Sequence, residues 1–170
     1  MAEPYAGREE ARRLRPTRGV AHDRPVPSDV EAITALIVAY AERLDAGDLE
    51  GVAALFAHAT WRSPARAEPL RDAAAVRRAY DVVLLYDGIP CTRHVVTNVV
   101  VELQSAERAV ARSYFTVFQA RPDFPLQSIL CGRYHDAFER VGGAWRFADR
   151  LILPDLVGDL SRHLRAGRPA

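Results

Sequence analysis

The feature that most constrains the fold is a change in hydrophobic periodicity after residue 90. Before that point, apolar residues recur at three- and four-residue steps, as they do on one face of an amphipathic helix. After it, the sequence predicts strands over 92–103, 109–119, 126–140 and 144–153, with turn sequences between them. Helices followed by strands with short connections predict an α+β domain. We expect a cone, in which the N-terminal helices pack in a curved antiparallel sheet around a pocket.

The helical half is marked by local end signals. A capping box at Ser28 starts the first helix. Gly47 can end that helix with left-handed backbone, and Asp48 is placed to cap a second, short helix. The pattern predicts a third helix from residue 73 to about 85, and a short extended piece at 59–63 precedes it.

Length and charge favour one domain between two tails. The chain has 170 residues with a formal net charge of +1, which is enough chain for one sizeable core. Residues 1–27 are rich in Arg, Glu and Pro without periodicity, so we expect a disordered arm. The folded domain is predicted over 28–164 and a C-terminal tail over 165–170. Within that end, 155–165 is predicted as a short helix or loose chain.

Composition and motifs exclude several functional classes. The balanced charge gives no reason to expect a nucleic-acid partner, and no apolar run reaches the roughly 20 residues of a membrane span. The histidines have no zinc-ligand spacing, and no Gly-rich phosphate motif is present. With no export signal, Cys91 and Cys131 are interpreted as free thiols in a reducing cytoplasm. We therefore predict a cytoplasmic protein without a metal or cofactor.

Two polar residues stand out at the end of the first helix. Tyr40 lies on the apolar stripe, so its ring should face the interior. Asp45 lies about 140° further round the helix, but the loosened helix end can bring its carboxylate back toward the same region. A carboxylate is also unfavourable against the helix dipole at a C-terminus. The alternative is ordinary turn chemistry, since Asp and Gly are common at such breaks.

The strands supply further candidates. His94 and Asn98 share one face of the strand 92–103, and His94 can move a proton near neutral pH, although a satisfied core histidine is the alternative. Arg150 is followed by three apolar residues and would need a buried anion if it pointed inward; an outward, solvated arginine is the alternative. Tyr114, like Tyr134, is a candidate pocket hydroxyl. Trp61 completes the predicted substrate-binding set.

These residues occur in an order that resembles the SnoaL-like branch of the NTF2-like superfamily. The resemblance covers about residues 28–164 and implies an α+β cone around a ligand cavity, which dimerises through its sheet. The motifs that carry it are Tyr40-x-x-x-x-Asp45-x-Gly47-Asp48, Thr92-Arg93-His94-x-x-x-Asn98, Gly132-Arg133-Tyr134-x-Asp136-x-Phe138 and Trp145-Arg146-Phe147-x-x-Arg150.

Within that branch the chain is similar to enzymes of the scytalone dehydratase and bile-acid 7α-dehydratase type. By position, Asp45 falls on their catalytic carboxylate and His94 on their catalytic histidine. Tyr40 falls on a pocket tyrosine of the bile-acid enzyme, and Arg150 lies near a further polar position. Scytalone dehydratase has a second histidine on a later strand. This chain has residues 114–118 at that place, and none of them is a histidine.

The resemblance implies a cofactor-independent acid–base lyase or isomerase: a dehydratase, isomerase or cyclase acting on a small apolar ring-containing carbonyl compound of polyketide or terpenoid/steroid metabolism. We expect a homodimer or higher homo-oligomer. A non-catalytic ligand-binding protein, or a scaffold like a dioxygenase β subunit, is the alternative. A third possibility is epoxide hydrolysis or ring closure, for which Asp136 and Asp149 are the spare carboxylates.

Overall fold

The computed structural model describes residues 26–165. These residues include the predicted domain 28–164, whereas nearly all of the predicted arm and tail lies outside them. The helices are α1 (Asp29–Ala46), α2 (Leu49–Ala54) and α3 (Ala73–Ala79), and a 3₁₀ turn follows at Tyr80–Val82. The strands are β1 (Thr60–Arg62), β2 (Thr92–Leu103), β3 (Arg108–Arg121), β4 (Phe124–Val141) and β5 (Ala144–Val157).

The five strands form one curved, open sheet in the order β1-β5-β4-β3-β2. The four long strands pair antiparallel, as consecutive strands with short connections do. The short extended piece adds a fifth strand, because β1 pairs in parallel with β5 through Thr60 and Asp149. The helices cover the inner face of the sheet, and the core lies between them. The predicted α+β class is therefore confirmed, with one parallel edge strand added.

The ends of α1 are those that the sequence predicts. The Ser28 side chain accepts a hydrogen bond from the Glu31 amide, and the Glu31 carboxylate accepts one from the Ser28 amide. At the other end, Gly47 has a φ of +74°, and a Cβ there would lie 2.0 Å from the carbonyl oxygen of Gly88. Only glycine allows this approach. The contact holds the end of α1 against the loop that leads into β2.

A β-bulge in β5 decides where Arg150 points. Phe138 pairs with Phe147, but the preceding residue of β4, Ala137, pairs with Asp149. Ala148 is thus an extra residue in β5, and the strict alternation of faces is broken there. Arg150 consequently faces the core together with Phe147, although period-two alternation places the two on opposite faces.

The predicted ends of α3 and β5 are wrong. α3 ends at Ala79 rather than near residue 85, and β5 continues to Val157 where a helix or loose chain was predicted from residue 155. Residues 158–165, which we call the C-terminal segment, then pair with the chain after α3. The Leu84 amide donates to the His163 carbonyl at 2.8 Å, and the Arg165 amide donates to the Val82 carbonyl at 2.8 Å. This tertiary pairing outweighs the weak local preference for helix.

None of the helices within residues 26–165 is both long and apolar enough to cross a membrane. The most deeply buried apolar side chains come from the three helices, the turn after α2 and β4, namely Ile33, Ile37, Val52, Phe56, Val76 and Ile129.

Candidate active site

A small cavity lies between the helices, the inner face of the sheet and the C-terminal segment. Its volume is about 130 Å³. That is close to the roughly 150 Å³ of an apolar cavity known to admit benzene, so there is room for one six-membered ring. The lining is mostly apolar, with a small set of polar side chains: Tyr40, Trp61, Ser63, Tyr80, Thr92, His94, Tyr134 and His163.

The structure brings Asp45 and His94 into direct contact at the cavity wall. His94 Nδ1 lies 2.6 Å from Asp45 Oδ1, and the His94 backbone amide donates to Oδ2 at 2.8 Å. Thr92 Oγ1 donates to Oδ1 at 2.8 Å. The His94 and Asp45 side chains are only 8% and 7% exposed. The end of α1 therefore places the carboxylate against β2. Asp45 contacts His94 but, unlike Tyr40, is not itself among the residues that line the cavity.

These contacts determine the ionisation of the pair. Burial alone would raise the pKa of Asp45, but the hydrogen bonds and charge of His94, with the Thr92 hydroxyl, hold that pKa below its ordinary value. An ionised carboxylate only accepts hydrogen bonds, so His94 Nδ1 carries a proton. In the neutral imidazole, Nε2 is then the unprotonated nitrogen and can accept a proton from a ligand.

Two tyrosines form a second polar group in the cavity wall. The hydroxyl oxygens of Tyr40 and Tyr80 lie 2.7 Å apart, and one donates to the other. The second hydroxyl hydrogen is then free for a ligand oxygen. Burial raises the pKa of both tyrosines, so both remain neutral donors. Trp61 Nε1 is also buried and has no hydrogen-bond partner within residues 26–165. Tyr80 was not singled out from the sequence; its position on the apolar stripe of the third helix was the available signal.

Arg150 has the buried anion that the sequence requires, but that anion is Asp136. Nε donates to Asp136 Oδ1 at 2.8 Å and Nη2 donates to Oδ2 at 2.7 Å, in a fully buried pair. The guanidinium carbon lies 4.2 Å from the ring centre of Tyr40 and 4.3 Å from that of Tyr134. Arg150 therefore lies behind these rings and is not among the lining residues of the cavity. It supports the wall, so its prediction as a direct substrate contact is corrected.

Two other substrate-binding predictions are also corrected. Tyr114 is 51% exposed, because the alternation of β3 points its neighbour Phe115 into the core. Asn98 is exposed, with a left-handed φ of +53°. The register of β2 and β3 shifts between Thr97 and Val100, and this bulge breaks the alternation that would have placed Asn98 beside His94. Neither residue lines the cavity.

The spare carboxylates of the epoxide hypothesis are engaged elsewhere. Asp136 is paired with Arg150, and Asp149 Oδ1 accepts a hydrogen bond from Arg62 Nε at 2.8 Å. Neither carboxylate lines the cavity. Within residues 26–165, no group of three or more histidine, cysteine or acidic side chains is placed to hold a metal ion. The arrangement around the cavity thus offers proton transfer and hydrogen bonding to an oxygen.

His163 is a lining residue that the sequence analysis missed. It lies on the C-terminal segment, and its Nδ1 is buried without a hydrogen-bond partner among the described residues. Burial, with the nearby charge of His94, lowers the pKa of His163 to about 4, although Asp45 acts in the opposite direction. The cavity is therefore lined by two histidines, His94 and His163. No periodicity or motif marks His163.

Comparisons with known proteins agree with this fold. A family model for the SnoaL-like domain matches residues 27–151. No curated protein matches the chain.

Three similar solved structures come from Novosphingobium aromaticivorans. An NTF2-like protein with a cystatin-like fold has 20% identity and a TM-score of 0.62, over 82% of this chain and 84% of that one. A candidate scytalone dehydratase has 23% identity and a TM-score of 0.61, over 82% and 93%. The β subunit of a candidate aromatic-ring-hydroxylating dioxygenase has 22% identity and a TM-score of 0.61, over 74% and 88%. At these identities the likeness establishes the fold.

Proposed function

Since this chain belongs to the SnoaL-like domain family of NTF2-like proteins, as its motifs predict, we propose that it is a cofactor-independent acid–base enzyme. It acts on a small, apolar, ring-containing carbonyl compound as a dehydratase, isomerase or cyclase. The observation that carries this proposal is the 2.6 Å contact between Asp45 Oδ1 and Nδ1 of His94, a residue that lines a mostly apolar cavity.

His94 is the proposed general base. Asp45 fixes the tautomer in which Nε2 is free, and its negative charge stabilises the imidazolium that forms when His94 takes a proton. The proton comes from the carbon next to the substrate carbonyl. In a dehydration, His94 then passes the proton to the departing hydroxyl group; in an isomerisation, it returns the proton to another carbon of the ring.

The Tyr40–Tyr80 pair and Trp61 form the proposed carbonyl site. Removal of the proton moves negative charge onto the carbonyl oxygen, and donors fixed in an apolar site stabilise that charge strongly. Tyr40 and Tyr80 together keep one hydroxyl hydrogen for the ligand, and the buried Trp61 Nε1 needs an acceptor. An oxygen bound beside the tyrosine pair accepts that hydrogen, which supports a carbonyl compound as the substrate.

A binding protein or a dioxygenase-type scaffold is the competing proposal. A scaffold has no need of a buried, ionised carboxylate that fixes a histidine tautomer, because burying such a group is unfavourable unless every contact is satisfied. The three hydrogen-bond contacts to Asp45 favour the enzyme. Capture of a larger catalytic chain by this protein would favour the scaffold.

The proposal can be tested without knowing the natural substrate. Cyclohexanone is one ring with a carbonyl group, and in D₂O a general base exchanges its α-hydrogens for deuterium, which NMR measures directly. We expect the protein to accelerate this exchange over buffer. Both His94→Ala and Asp45→Asn should remove most of the acceleration, since positioned proton transfer typically contributes about 10² to 10⁴ in rate.

Glu42→Gln is the matched control for this test. Glu42 is an exposed carboxylate on α1, close in sequence to Asp45. Its substitution should leave the exchange rate unchanged. NMR titration with phenol shows whether the His94 and Asp45 variants still bind a ring. The general-base assignment is rejected if the unaltered protein exchanges the α-hydrogens no faster than buffer does. It is also rejected if exchange is undiminished in both variants.

A further inference from the structure

We propose that His163 forms a second polar subsite of the cavity, which binds a hydroxyl group of the ligand. The inference rests on the proposed function for the position of the carbonyl group. It adds that the ligand carries two oxygen functions: one at the Tyr40–Tyr80 pair and one, a hydroxyl, at His163.

The first support is that His163 is held firmly by its backbone. Its carbonyl accepts from the Leu84 amide at 2.8 Å, and its amide donates to the Leu160 carbonyl at 2.9 Å. The preceding carbonyl, that of Arg162, accepts from Gln119 Nε2 and from the Tyr86 hydroxyl, both at 2.8 Å. The C-terminal segment therefore presents the imidazole in a fixed position at the cavity.

The second support is the unsatisfied ring nitrogen. His163 Nδ1 is buried without a partner within residues 26–165, and a buried polar atom in that condition costs about 1–3 kcal/mol. The ring lines the cavity, which is where a ligand oxygen can approach it. An apolar side chain of similar size would avoid this cost, and a polar ring therefore points to a polar ligand group.

The third support is the charge state. His94 and Asp45 are the groups whose charges act on His163, and with burial their net effect keeps its pKa low, at about 4. The ring is consequently neutral near pH 7 and offers one N–H donor and one acceptor nitrogen. A neutral ring does not repel His94 when His94 carries a proton. A hydroxyl group, which both donates and accepts, matches it.

Single-ring probes test the subsite without turnover. Phenol carries one hydroxyl and the three benzenediols carry two at defined separations; their Kd values can be measured by calorimetry. We expect the best benzenediol to bind the unaltered protein about tenfold more tightly than phenol, as one additional hydrogen bond to a buried group implies. In His163→Phe this advantage should be lost. His58→Gln, an exposed histidine on the α2 side, should retain it.

A second measurement does not depend on the variant folding. In the unaltered protein, the ring ¹⁵N resonances of His163 should shift with the best benzenediol and not with benzene. A benzenediol advantage that persists in His163→Phe, or ring resonances that do not respond, overturns the proposal. Since only binding is measured, absence of α-hydrogen exchange with a retained, His163-dependent advantage would reject the enzyme and keep the subsite.

Discussion

The guanidinium of Arg150 is fully buried, with Asp136 as its anion and aromatic rings around it. Burial alone would lower the pKa of Arg150, but the charge and hydrogen bonds of Asp136 outweigh it and raise the pKa, so the guanidinium stays charged. The guanidinium lies against the rings of Tyr40 and Tyr134. Arg150 thereby fixes the ring whose hydroxyl meets Tyr80, and it acts on the site as a positioning residue.

Removing one member of this pair should be far more damaging than removing both. Asp136→Asn leaves a buried charge without its anion, and we expect a loss of about 3–5 kcal/mol in the free energy of unfolding. The double variant Asp136→Leu with Arg150→Met removes both charges and should recover most of that loss. Urea unfolding monitored by circular dichroism measures both.

The exposed pair Arg133–Asp155 provides the control. Asp155→Asn removes a carboxylate that is open to solvent, so the stability should stay close to that of the unaltered protein. If the double variant is as unstable as Asp136→Asn, the buried charge is not the source of the loss.

Among the structural elements, the C-terminal segment closes the cavity and depends on one buried side chain. Gln119 is 1% exposed, and its Nε2 donates to the Pro90 carbonyl at 2.9 Å and to the Arg162 carbonyl at 2.8 Å. It thus ties the segment to the loop before β2. Backbone hydrogen bonds to residues 82–84 and the Tyr86 hydroxyl also hold the segment, so the contribution of Gln119 can be isolated as a change in local opening.

Gln119→Leu should loosen the segment selectively. The Pro90 carbonyl loses its donor and the Arg162 carbonyl keeps only the Tyr86 hydroxyl, so we expect a stability loss on the order of 1 kcal/mol. Hydrogen exchange should accelerate at the Leu84 and Arg165 amides, which pair across this contact, with little change in α1. Gln104→Leu, at an exposed position, is the matched control. Uniform acceleration across the chain would show global destabilisation instead of local opening.

The sequence predicts the ends of an element where nearby residues set them. Both ends of α1 are set by short-range contacts of Ser28 and Gly47, so the sequence reveals them. The contact between Asp45 and His94 was expected from the family resemblance, because neither the helix end nor the strand period by itself pairs the two residues. The end of α3, the length of β5 and the path of the C-terminal segment depend on pairing between distant residues, and no local pattern reports that.

The missed and misplaced site residues have the same cause. His163 reaches the cavity through pairing of the segment with residues 82–84, and Arg150 turns inward at a bulge that no glycine or proline marks. Asn98 turns outward at another bulge. A period-two pattern gives the face of a residue only where the strand is regular.

For the whole molecule, the two faces of the sheet divide the roles. The inner face carries the cavity and the buried ion pair, whereas the outer face exposes large apolar side chains including Val95, Tyr114 and Leu156. Dimerisation through this face, which the family resemblance implies, stays a prediction. Exposed apolar area of this kind is consistent with such an interface.

The stability of the whole molecule should also depend on pH through its cavity histidine. The pKa of His163 is about 4 in the folded protein and about 6.5 in an unfolded chain. Between these values the unfolded chain binds a proton that the folded protein does not, so stability falls as the pH drops from about 6.5 to 4, by up to about 3 kcal/mol. The lowered pKa of Asp45 adds a further loss only below about pH 4, where its carboxylate becomes protonated.

Urea unfolding at a series of pH values measures this slope. His163→Gln removes the titrating ring, so the slope between pH 6.5 and 4 should flatten whatever the stability of the variant at pH 7. His58→Gln removes an exposed histidine and should leave the slope as it is. An equal slope in His163→Gln and in the unaltered protein would mean that the pKa of His163 is not lowered in the folded protein. That result would remove the low pKa that supports the hydroxyl subsite.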